Sequence, residues 1–118
     1  MPKAAFKLVW DTLKNGNEWS GFVLNRGLKG DYWVYAIISP NYGKNGNLYG
    51  YTSMRFGANP QALRIIENIY DEMKNAEKKG IYNDKKITLG INFLTEKLKS
   101  LNIDYDSFVK DLQGILEE

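Results

Sequence analysis

The residues in this chain that could do chemistry are aromatic rings set among a few cations. Trp19, Tyr32, Trp33, Tyr35 and Tyr51 fall within 33 positions of one another, with Arg26, Lys29 and Arg55 beside them. Rings can stack on planar ligands and guanidinium groups can pair with phosphates. The 118 residues contain no His and no Cys. That removes Ser-His triads, thiol nucleophiles, and thiolate or imidazole metal sites. Carboxylates, Lys and Tyr remain as acid–base groups, and no tight carboxylate pair stands out, so the chain reads as a non-enzyme. Stacking platforms with basic neighbours also occur in single-strand RNA binders, but positive charge is too sparse here to support nucleic-acid binding.

The length is one domain's worth, and the apolar (43%) and charged (25%) fractions are those of a globular protein. No apolar run reaches the ~18 residues of a membrane span. The expected setting is cytoplasmic, without membrane association. The net charge of +2 is uneven. Residues 1–58 carry seven Lys/Arg against three Asp/Glu, and residues 59–118 carry nine against eleven.

Elements that would position the rings follow from periodicity. Pro2 opens a helix over 3–14, with Phe6, Val9, Trp10 and Leu13 as its apolar stripe. The period then shortens to two. Trp19–Asn25 is a strand, residues 28–31 turn, and Tyr32–Ser39 is a strand apolar on both faces, stopped by Pro40. Asn45-Gly46 marks a hairpin into a third strand, Leu48–Phe56. Asn59-Pro60 opens a second helix, with Leu63, Ile66, Tyr70 and Met73 as its stripe and Lys78-Lys79-Gly80 at its end. After a polar linker at 81–86, Ile87, Ile91, Leu94, Leu98 and Leu101 recur at helix-packing spacing. Asp104 caps a last helix lined by Phe108, Leu112 and Ile115, with Ile103 and Phe108 as a hydrophobic staple. The expected class is α+β, a three-stranded antiparallel meander in the order α-β-β-β-α-α-α.

Several runs are more specific than periodicity: Glu18-Trp19-Ser20-Gly21, Asn25-Arg26, Tyr32-Trp33-Val34 with Ala36, Pro40, and Gly50-Tyr51-Thr52-Ser53-Met54-Arg55. With Met1–Phe6 ahead of them, they resemble the C-terminal half of a PAS sensor domain of the FAD-binding aerotaxis-receptor type, over residues 1–75. The resemblance implies a partial PAS-like domain at 1–78 and a helical extension at 79–118. It also implies truncation, because the family's first two strands and the Arg-His-Pro-Asp segment beside its flavin have no counterpart here.

The resemblance implies a sensory, signal-transduction role related to redox sensing, and a cofactor-binding set of Trp19, Asn25, Arg26, Tyr35, Tyr51 and Ser53. Trp19 falls on the family's flavin-linked tryptophan, and it would equally pack on Trp10 or Tyr51. Asn25 and Arg26 could reach a flavin carbonyl and a phosphate, or form a polar turn. Tyr35, Ile37, Tyr51 and Ser53 could line one concave sheet face, or be core. With part of the pocket wall missing, FAD is expected to be absent or substoichiometric. The alternative is a ligand-free interaction or dimerisation module. A signalling protein is an expected partner, and so is a second copy, meeting this one along the open edge of Leu48–Phe56.

Overall fold

The computed structural model describes residues 1–114. Its elements are α1 (Lys3–Lys14), β1 (Trp19–Gly27), β2 (Gly30–Tyr42), β3 (Leu48–Gly57), α2 (Pro60–Glu77), α3 (Asn83–Leu101) and α4 (Tyr105–Gln113). The class is α+β, and the sheet is an antiparallel meander in the order β1-β2-β3. Ile115, expected on the last helix, lies outside the described residues. Among the described residues no helix is long and apolar enough to cross a membrane.

The sheet has two working faces. Residues directly opposite in a ladder share a face. Trp19, Gly21 and Val23 therefore lie with Ile38, Ala36 and Val34, while Ser20, Phe22 and Leu24 lie with Ile37, Tyr35 and Trp33. Phe22 and Tyr35 join the main core with Ala4, Ala5, Ile66, Met73, Leu94 and Val109. Trp19 and Ala36 join a second core with Val9 and Leu13. The middle of β2 is thus buried on both sides, as its two-faced apolar pattern requires.

Capping fixes the helix starts. Asn59 accepts the Gln61 N–H at 3.0 Å, and Asp104 accepts the Ser107 N–H at 2.8 Å. Each satisfies a first-turn donor that has no partner within the helix.

Three expectations need correction. Pro40 does not stop β2, which runs on to Tyr42 with Pro40 opposite Tyr51. The β1 ladder ends at Trp19↔Ile38, so at Pro40 the strand has a single neighbour, and a residue with no N–H is tolerated there. The linker before α3 is shorter than expected, because the helix already begins at Asn83, with Asp84 favourably placed in its first turn. Finally, Phe6 and Trp10 are about half exposed, and α1 buries Ala4, Ala5, Val9 and Leu13 instead. Ala4 packs closely on Gly90 of α3.

Candidate functional site

The candidate site starts where β1 starts. Trp19 is nearly fully buried, and its ring stacks with Tyr105 at a centroid distance of 6.5 Å and an interplanar angle of 28°. Gly21 makes this possible. A Cβ at that position would lie 2.7 Å from Trp19 Cζ2 and would collide with the Tyr105 hydroxyl. Asp104, by capping α4, sets Tyr105 in the first helical turn above this gap. The Tyr105 ring is partly exposed, but its hydroxyl end is deeply buried. That burial pushes the phenol well above its ordinary range, and the neighbouring Tyr70 and Tyr35 push it further. The Trp19 indole N–H lies close enough to oppose that rise slightly. It nevertheless makes no hydrogen bond of acceptable geometry.

Beside this pair is a cavity of about 220 Å³ between α1, β1, α3 and the start of α4, walled by Leu8, Thr12, Trp19, Leu94, Leu98 and Tyr105. Thr12 has its hydroxyl donated to Leu8 O at 2.7 Å. The walls are therefore mostly apolar, with Thr95 the other polar residue among them, and the unpartnered Trp19 indole N–H is buried beside the Tyr105 hydroxyl. No acid–base pair faces the cavity, and among the described residues no carboxylate cluster could hold a metal ion. A smaller void of about 20 Å³ among Ala5, Ile66, Tyr70, Met73 and Val109 has room for about one water.

The six candidate cofactor residues do not converge. Asn25 and Arg26 lie at the far end of β1, opposite Tyr32 and Asp31. Six residues of strand place Asn25 about 20 Å from Trp19. Asn25 is half-buried with its Nδ2 unpartnered, and Arg26 is exposed. Tyr35 is fully buried against Phe22, at 5.4 Å between rings, on the opposite face from Trp19. Tyr51 leans edge-on against Trp10 at 5.7 Å, and Ser53 is exposed on β3.

A single concave face carrying Tyr35, Ile37, Tyr51 and Ser53 does not form. The hairpin begins in the Tyr42↔Leu48 register, which, continued, would set Ser53 opposite Ile37. A bulge at Asn41/Tyr42 shifts the pairing to Ile38↔Ser53. A one-residue slip sends the strand's side chains to the other face, so Tyr51 and Ser53 point away from Tyr35.

Of the six residues only Trp19 lines the 220 Å³ cavity. That volume falls below the roughly 300–1,000 Å³ of drug-sized ligand pockets, and Val9 and Leu13 of α1 pack in the same cluster as Trp19. The residues present do not form a flavin site in this arrangement. Tyr105, which lines the cavity and stacks on Trp19, carries no motif that marks it. Its only signal in the sequence is its place directly after the Asp104 cap.

No protein-family model matches the chain. The aerotaxis receptor of Escherichia coli (strain K12) is 45% identical over 71 residues, which is 59% of this chain and 14% of the receptor. The chain thus spans about a seventh of that relative's length. A solved structure, the dark state of the blue-light photoreceptor Aureochrome1 LOV domain, is similar at a TM-score of 0.47 and 18% identity. It covers 61% of this chain and 52% of the other, a likeness too slight to carry an argument. The 71-residue match is to the same type of receptor that the motif runs around Trp19, Asn25 and Tyr51 resemble.

Proposed function

We propose that this chain is a sensory, signal-transduction module of PAS type, related to redox (aerotaxis) sensors and poor in cofactor. The observation that carries the reading is the 45% identity to the aerotaxis receptor. The cofactor-poor half rests on the split of the six candidate residues over two sheet faces and on the 220 Å³ cavity beside Trp19. A cytoplasmic setting and a signalling partner belong to the same reading. A second reading, a ligand-free interaction module, is favoured by β3, where every residue but Gly50 is exposed.

The visible spectrum of the purified protein, before and after incubation with FAD, separates the two. The expected result is little flavin as purified. Flavin at one per chain would overturn the cofactor-poor reading and make Trp19 a ligand residue. No uptake even at saturating FAD would remove redox sensing and leave the interaction module.

A further inference from the structure

The cavity beside Trp19 is a hollow without charge. Its walls come from α1, β1, α3 and the start of α4, and no Lys, Arg, Asp or Glu lines it. The stacked rings of Trp19 and Tyr105 line it together with Leu94 and Leu98 of α3. The polar ends of both rings are buried in the protein. The Thr12 hydroxyl already donates to Leu8 O at 2.7 Å. Thr12 is half-buried and Thr95 is exposed, so the hollow meets solvent between α1 and α3.

We propose that this hollow is a binding site for a small, uncharged aromatic molecule of the size of toluene. The proposal deepens the sensory reading, and rests on it, by giving the module a molecule to sense. Size fits that class. An apolar cavity of about 150 Å³ takes benzene, and this one holds about 220 Å³. Water is a poor occupant, because it needs several polar partners and these walls give it few. Left empty, the hollow deprives its lining of contacts on one side, and a ring restores them.

The walls also select. Aromatic pairs gain from offset or edge-to-face contact beyond the area they bury, so the Trp19–Tyr105 pair favours a ring over a saturated chain. A carboxylate or ammonium would leave water without meeting an opposite charge, and burial of such a group is costly. The ligand class is therefore aromatic and neutral.

The probe is toluene added to the full chain, followed by NMR of the three tryptophan indole N–H groups. Trp10 and Trp33 serve as controls, since Trp10 is about half exposed on α1 and Trp33 lies on the sheet face away from Trp19. Toluene is expected to shift the Trp19 resonance to a plateau and to leave the other two in place. Benzoate, the same ring carrying a charge, is expected to shift none. Leu98→Trp fills the hollow and is expected to abolish the toluene shift, with circular dichroism confirming that the variant is folded. Leu98→Ala enlarges the hollow and is expected to move the preference from toluene towards the larger naphthalene. An unmoved Trp19 resonance at the solubility limit of toluene overturns the proposal. So does a shift confined to Trp10, a benzoate shift equal to that of toluene, a shift that survives Leu98→Trp, or a preference unchanged in Leu98→Ala. The sensory reading fails separately: a chain silent to toluene that takes up FAD keeps that reading and loses this site, and a chain that binds toluene but no FAD keeps the site and loses redox sensing.

Discussion

The carboxylate of Glu77 caps helix α1 from across the fold: Oε1 accepts the Ala4 N–H at 2.9 Å, and Oε2 accepts that of Lys3 at 3.3 Å. Pro2, at the N-cap, supplies no side-chain acceptor of its own. A carboxylate at a helix N-terminus satisfies orphan donors and meets the positive end of the dipole. Glu77 is the last residue of α2 and is buried, so one side chain ties the end of α2 to the start of α1. Glu77→Ala is expected to destabilise the fold by about 1–3 kcal/mol, leaving buried N–H groups unpaired. Glu77→Gln keeps an acceptor and should cost less. Urea unfolding checks both, through a lower midpoint at unchanged slope.

Gly90 is the floor of that junction. A Cβ there would lie 2.8 Å from Ala4 Cβ and 2.9 Å from Glu77 Oε1. Ala is the better helix former by about 1 kcal/mol. Overpacking typically costs about 1–3 kcal/mol and should outweigh that gain. Gly90→Ala is therefore expected to lower the thermal midpoint. A raised midpoint would mean that α1 and α3 can separate freely.

Local chemistry was legible in the sequence, and long-range closure was not. The Asn59 and Asp104 caps, the Asn45-Gly46 hairpin and the two-faced pattern of Tyr32–Ser39 all act within a few residues, and the sequence shows them. The side of the sheet taken by Tyr51 and Ser53 depends on one extra residue at the hairpin bulge, and periodicity does not reveal it. The close approach of α1 to α3 depends on Gly90, 86 positions from Ala4. Gly90 alone reads as a weak point in a helix. Only the contact with Ala4 and Glu77 shows why a glycine is needed there. The candidate site divides in the same way. Trp19 is marked by its motif, whereas Tyr105 owes its place to Gly21, a partner distant in sequence.

Tyr70 ties α2 to the sheet. Its hydroxyl donates to Phe22 O at 2.8 Å in a buried setting, and its ring lies 5.8 Å from that of Trp33. Burial raises its phenol pKa far above the ordinary value of 10.0. Tyr70→Phe keeps the ring and removes the hydroxyl's bond to the Phe22 carbonyl. A loss of about 1–2 kcal/mol is expected. The raised pKa has a second consequence. For an acid whose neutral form is favoured by folding, stability is present below the unfolded value and is lost as pH rises through the folded one. Wild type should therefore weaken above about pH 10 more steeply than Tyr70→Phe. Denaturant midpoints measured across that range check it.

Asp104 connects pH to the cavity. The Ser107 backbone N–H, and then its hydroxyl, hold the Asp104 carboxyl below its ordinary value of 3.8. A depressed carboxylate stabilises the fold above the unfolded pKa, and that contribution is lost as pH falls through the folded one. The window is therefore acidic, below about pH 4. As Asp104 protonates, its cap on α4 weakens, and Tyr105, one residue on, is held less firmly over Gly21 and Trp19. Trp19 fluorescence is expected to change on acidification, in step with the Asp104 carboxyl followed by NMR. Asp104→Asn keeps a good N-cap without the titration and should flatten that acid response. Asp104→Ala should give the altered fluorescence already at neutral pH. A response unchanged in Asp104→Asn would assign it to other carboxylates and separate the cap from the cavity.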